Sequence, residues 1–183
     1  VRIGLISDTH IPGGAAEIPE AVSRVFSGVD LILHSGNIYK PAILDQLETI
    51  APVKAAGSVD RDHQCRDDPR VEEKQILNIE GHSIGVVHDL ILPGWGGDVY
   101  PGSIETYLSD ISIPTVMEEI FGTAVDIVIF GHSCRVTIEE HDEVLLINPG
   151  SPTLRNQLRM IGHVAILDLK PGERHVQSID LSG

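Results

Sequence analysis

Five short apolar runs in this chain break directly into residues able to bind a cation or a phosphate, and that recurrence constrains the fold more than any other feature. Ile3-Gly4-Leu5-Ile6 leads into Ser7-Asp8-Thr9-His10, and Leu31-Ile32-Leu33 into His34-Ser35-Gly36-Asn37. Val53-Lys54-Ala55-Ala56 leads into Gly57-Ser58-Val59-Asp60, Ile84-Gly85-Val86-Val87 into His88-Asp89, and Ile127-Val128-Ile129-Phe130 into Gly131-His132-Ser133-Cys134. A short β-rich apolar run bounded by turn residues reads as a buried strand. Ligands of open α/β sheets sit beyond the carboxyl ends of the strands, where several loops meet. All five runs are therefore expected to point at one site.

The segments between the runs supply the rest of the fold. Pro19 to Ser27 spaces Ala21, Val22, Val25 and Phe26 at helical intervals, and Lys40 to Ile50 does the same with Ile43, Leu44 and Leu47 before Pro52 stops it. Strand, helix, strand, helix, strand implies right-handed crossovers and a parallel sheet in the first third. Ser58 to Arg70 is polar and without period, so it reads as a surface loop. Glu73 to Ile79 and His82 to His88 predict a hairpin, Thr115 to Phe121 a helix, and Asp126 to Phe130 a strand. Arg135 to Glu140, Val144 to Asn148, Gly162 to Leu169 and His175 to Leu181 predict hairpins of a second, antiparallel portion of sheet. Asp89 to Pro114, with a short helix near Ile104 to Leu108, holds the one Trp and two of the three Tyr. Such a long loop reads as a lid, or equally as a self-packed excursion or a homodimer contact.

No repeat, linker or low-complexity tract divides the 183 residues, so one domain over 1–183 is expected. The 27 acidic against 13 basic residues give a formal charge of -14, which disfavours stable binding to nucleic acid or anionic membrane. A small anionic substrate is still admissible, because a bound divalent cation reverses the sign locally. Two cysteines make no disulfide framework, and the amino terminus enters a strand at once, with no apolar run long enough to span a bilayer. A cytoplasmic protein is the expectation.

The ordered motifs SDTH, HSGN, GSVD, VVH, GHSC and Asn148-Pro149-Gly150-Ser151 resemble the calcineurin-like metallophosphoesterases, in particular their small bacterial and archaeal branch that includes the Vps29-type retromer subunit. The resemblance implies an α/β fold, a four-layer αββα sandwich with mixed sheets. It also implies two metal ions, with Asp8, His10 and position 134 on the first, His88, His132 and position 58 on the second, and position 37 as the bridge. At three of these places the chain departs from the family pattern: Asn37 stands for an Asp, Ser58 for an Asn and Cys134 for a His.

Neutral Asn37 cannot offset the repulsion of two adjacent dications, and Ser58 is a poorer ligand than an amide carbonyl. Cys134 as a thiolate would suit zinc or iron and restore one negative charge; read blandly, it is an inert buried thiol. The family reaction uses a metal-bound hydroxide for in-line attack on phosphorus. Larger relatives carry a His where Val59 stands, so no proton donor for the leaving group is evident here. The expectation is a slow, metal-dependent phosphoesterase acting on small phosphodiesters or activated monoesters with one or two manganese, zinc or iron ions. Asp8, His10, Asn37, His88 and His132 would be catalytic, and Asn37 and Ser58 would contact substrate. The competing expectation is a catalytically inactive binding scaffold, marked by an exposed apolar patch at Leu90, Ile91, Leu92 and Trp95. A single-ion zinc or iron site at Cys134 is the third. His34 is expected to be structural, Asp60 a loop orienter, Asn148 to Ser151 a rigid turn, and His63, His82, His141, His163 and His175 surface residues.

Overall fold

Alternation along the first strand decides the layering. In β1 (Arg2–Ile6) Ile3 and Leu5 face one way and Gly4 and Ile6 the other, and all four are buried. A strand buried on both faces must be sandwiched. The computed structural model describes residues 1–107, 112–153 and 162–182. It continues through α1 (Glu20–Val25), β2 (Leu31–His34), α2 (Pro41–Glu48), β3 (Val53–Ala56), β4 (Val71–Glu72), β5 (Lys74–Ile79), β6 (His82–Val87), α3 (Ser103–Tyr107) and α4 (Ile113–Phe121). Then follow β7 (Ile127–Ile129), β8 (Thr137–His141), β9 (Val144–Asn148), β10 (His163–Lys170) and β11 (Glu173–Asp180).

Two mixed sheets pack face to face. One runs β11-β10-β1-β2-β3-β4 and the other β5-β6-β7-β9-β8. Ile3, Leu5 and Leu33 of the first meet Ile84, Val86, Ile127, Ile129 and Ile147 of the second in a central core. Outside the first sheet, Val22, Phe26, Ile43, Leu44 and Leu47 of the α1 and α2 region cover Ile6, Ile32 and Val53. Outside the second, Val116, Met117 and Phe121 of α4 cover Val128, Val144 and Leu146. This is the expected αββα sandwich. Burial of each such side chain is worth about 1.5–3 kcal/mol, so three contiguous cores rather than helix propensity hold these short helices in place.

Four expectations need correction. The later hairpins do not form one antiparallel portion: β10–β11 joins the first sheet beside β1, whereas β8–β9 joins the second, with β9 parallel to β7. Local turn chemistry makes a hairpin, but the partner strand is a long-range choice. The stretch from Ser58 to Arg70 is not merely a solvated loop, since Asp62 and Cys65 are buried in it and it leads into β4 against β3. Leu90 and Leu92 are 3% and 1% exposed and Trp95 is half-buried, so the anticipated apolar patch reduces to Ile91. His82 is no surface residue: it is 7% exposed and ion-paired to Asp126. The helix near Ile104 is present as α3, but Leu108 lies outside the described residues. Among the described residues no helix is long and apolar enough to cross a membrane.

Candidate metal centre

The carboxyl ends of β1, β2, β3, β6 and β7 deliver their loops to one rim, as the recurrence of motifs requires. A cleft of about 680 Å³ lies there, lined by His10, Asn37, Tyr39, Ser58, Val59, Arg61, His88 and His132 among others. Asp8, His10 and Cys134 bring a carboxylate oxygen, an imidazole nitrogen and a thiol sulfur within 4.8 Å of one another. The loops turn sharply to do so. Asp8, His10, Asn37, Tyr39, His132 and Cys134 all have φ between 49° and 72°, a region that costs non-glycine residues about 1–2 kcal/mol each and is retained where the surroundings fix it.

Those surroundings are hydrogen bonds between loops. Asp8 N–H donates to Gly36 O and His10 N–H to Asn37 O. Ser151 Oγ donates to Asp8 O at 2.7 Å and Thr153 Oγ1 to Thr9 O at 2.6 Å, while Asn148 Nδ2 donates to Gly131 O. The Asn148 to Ser151 turn therefore braces the site from beneath. A Cβ on Gly131 would stand 2.1 Å from Ser7 Oγ and 2.6 Å from Ser35 O, so only glycine lets the GHSC loop approach this closely.

Several protonation states follow from the partners. His34 Nδ1 accepts from Gly36 N–H, so its proton sits on Nε2 facing Thr9 Oγ1, and burial pushes its pKa down to about 4. It is a structural histidine, as expected, and this burial keeps it neutral. His88 Nδ1 lies 2.7 Å from Ser35 O; a carbonyl only accepts, so Nδ1 carries the proton and Nε2 keeps a lone pair free for a cation. Burial alone would raise the Asp8 pKa, but hydrogen bonding to His10, Ser7 and Asn37 outweighs it and holds the carboxyl below its ordinary value. Burial and the Asp8 charge push the Cys134 thiol upward, so it is protonated until a cation displaces its proton.

The donor set fits a metal. Two nitrogen or oxygen ligands on a tetrahedral ion with bonds of about 2.1 Å lie about 3.4 Å apart, and a nitrogen and a thiolate sulfur about 3.6 Å. Asp8 Oδ1 is 3.4 Å from His10 Nε2, and Cys134 Sγ is 3.7 Å from the same nitrogen. Asn37 turns its amide nitrogen to Asp8 Oδ1 at 2.9 Å and leaves Oδ1 buried with no partner among the described residues, as a carbonyl reserved for a cation would be. His88 and His132 stack edge to face with ring centroids 5.5 Å apart. Ser58 lines the cleft beside them, its N–H donating to Asp62.

Two site residues escape a reading of sequence alone. Asp62, 3% exposed, accepts from the N–H groups of Asn37, Ile38, Tyr39 and Ser58, tying the loops after β2 and β3 together. It performs the orienting task expected of Asp60, which is exposed on the cleft instead. Tyr39 places its hydroxyl 2.8 Å from His10 Nδ1, fixing the ring from the side away from Asp8. No spacing rule marks either one.

A two-sheet sandwich with helices outside, and with histidines, a carboxylate and a thiol gathered at its strand ends, defines the metallophosphoesterase class. The chain belongs to the calcineurin-like phosphoesterase superfamily, whose domain matches residues 1–172. A probable metallophosphoesterase of Methanothermobacter thermautotrophicus is 39% identical over 153 residues, 83% of this chain and 77% of that protein. In fold, the chain is similar to zinc-complexed Vps29 of Entamoeba histolytica, with a TM-score of 0.68 and 21% identity over 100% of both chains. A structurally characterised archaeal phosphodiesterase gives 0.65 and 20% identity, covering 98% of this chain and 100% of that one.

Proposed function

We propose that this protein is a slow, metal-dependent phosphodiesterase that holds its first ion with Asp8, His10 and Cys134. The convergence of those three ligand atoms beside a solvent-open cleft carries the reading. Asn37, Ser58, His88 and His132 form the second half of the site. A divalent cation held there supplies Lewis-acid polarisation of a phosphoryl oxygen and a water of lowered pKa. The thiol favours zinc or iron in the first half over manganese.

The chain's own residues shape which esters react. Arg61 and Lys74 line the cleft and add positive charge for the phosphate, whereas Asp60, Glu73 and Asp89 on the same walls leave it net acidic and disfavour polyanions. A phosphodiester with one charge suits this balance better than a monoester dianion. Val59 offers no proton, and burial raises the Tyr39 pKa, so the phenol keeps its proton and is a weak acid. Esters with good leaving groups are therefore expected to react fastest.

The test is hydrolysis of bis(4-nitrophenyl) phosphate by protein loaded with zinc or manganese, against His10→Ala as control. A metal-dependent rate lost on chelation and absent from the control supports the reading, and no rate above the control sinks it. Asn37→Asp with Ser58→Asn is expected to raise metal occupancy and rate together. In the metal-free protein Asn37→Asp sets a carboxylate against Asp8, so the single variant should also gain more stability from added metal than the native chain does.

A further inference from the structure

The cleft is larger than a phosphate requires, and its outer wall is partly apolar. At about 680 Å³ it has the size that encloses a whole small organic molecule. The wall can be traced outward from the candidate ligands. Val87 precedes His88 and pairs with Lys74 across β5 and β6, and Lys74 Nζ in turn donates to Ile120 O near the end of α4. Val87, Lys74 and Ile120 all line the cleft, as do Val59, which follows Ser58, and Ile91, three residues after His88.

Val59 and Ile91 are 68% and 67% exposed, the most exposed large apolar side chains among the described residues. A lone surface hydrophobe needs no explanation, but these two share one cleft with the candidate ligands, and the backbone holds each in place. Ile91 stands between the buried Leu90 and Leu92, and its N–H donates to Asp89 O, so two anchors in the core fix it outward. Beside Val59, Ser58 N–H donates to Asp62 Oδ2 and Asp62 N–H donates back to Ser58 O, which closes that loop. The lining sets Asp60, Glu73 and Asp89 against Arg61 and Lys74, and the Lys74 ammonium is already held by Ile120 O. Beyond the phosphate, the wall therefore offers little to a second anionic group. From this placement we infer that Val59 and Ile91 form a subsite for an uncharged aromatic or apolar ester arm, so the preferred substrates are phosphodiesters with one negative charge and at least one such arm. Apolar side chains already fixed beside the phosphate site gain contact with the arm without the cost of ordering a loop. This inference rests on the phosphodiesterase reading above.

The experiment compares two unactivated diesters of equal charge, dimethyl phosphate and methyl phenyl phosphate, by calorimetric titration into zinc-loaded protein. The native chain is expected to bind methyl phenyl phosphate about tenfold more tightly, the gain from burying part of one ring. Val59→Ser combined with Ile91→Ser should reduce that preference below about threefold, with zinc retained as in the native chain. Ile138→Ser, at an exposed apolar position of β8 outside the cleft lining, should keep the full preference. The same order is expected in kcat/KM for phenyl 4-nitrophenyl phosphate over methyl 4-nitrophenyl phosphate, two diesters with one leaving group. All three substitutions fall at exposed positions, so the variants are expected to fold. Equal binding of the two diesters by the native chain, binding of neither, or a preference that survives in the double variant overturns the inference. The phosphodiesterase reading is judged separately, by zinc retention and by hydrolysis of bis(4-nitrophenyl) phosphate that chelation abolishes; loss of both on the native chain overturns it and the inference together.

Discussion

Asp62 carries more of the site than any residue in the recognised motifs. Its two oxygens accept four backbone N–H groups at 2.7 to 2.9 Å, from loops that hold the candidate ligands Asn37 and Ser58. An amide has one acceptor oxygen, so Asp62→Asn strands two of the four donors, one buried and one partly buried, against its own NH₂ group. Urea denaturation should show a loss of about 2–6 kcal/mol, from about 1–3 kcal/mol for each of the two unsatisfied donors. A loss below about 1 kcal/mol, the range of an ordinary substitution, would mean that the four bonds do not hold the loops. Sequence offered no means of choosing Asp62 over Asp60, since both are carboxylates in one aperiodic segment and only burial separates them.

At the scale of elements, the outer helix of the second sheet depends on a missing side chain. Phe121 at the end of α4 lies against β6 where Gly85 leaves room, and a Cβ on Gly85 would be 2.7 Å from the Phe121 ring. Gly85→Ala is expected to destabilise by about 1–3 kcal/mol through overpacking. Phe121→Leu in the same chain should return part of that, so the two changes should be non-additive in denaturation. Strict additivity would show that α4 does not rest on this contact. The strands and helices of the first third were legible because each is a local pattern of period two or 3.6. The destination of each hairpin was not, because an edge strand is chosen by the shape of the sheet it completes.

For the whole molecule, the two sheets are latched at the end opposite the cleft. His82 Nδ1 meets Asp126 Oδ2 at 2.9 Å while Nε2 faces the carbonyls of Lys170 and Glu173 in the β10–β11 turn, so the protonated ring satisfies both sides at once. Arg174 of β11 adds bonds to Asp126 O and Glu143 O and ion pairs with Asp126 and Glu140. The bond to Asp126 raises the His82 pKa above its ordinary value, against the pull of burial. A raised folded pKa gives stability that is complete below the unfolded value of about 6.5 and is lost as pH rises through the folded value. The denaturation midpoint of the native chain should therefore exceed that of His82→Gln by more at about pH 6 than at about pH 8.5. A gap that does not change with pH would remove the charged latch from the account.

The number and order of the strands that end at the site, the family pattern, and the three departures at Asn37, Ser58 and Cys134 are local information, each written in a few consecutive residues. The burial of Leu90 and Leu92, the pairing of His82 and the task of Asp62 come from packing. Each of those joins residues from separate segments, and their meeting depends on how the two sheets stack rather than on any local spacing.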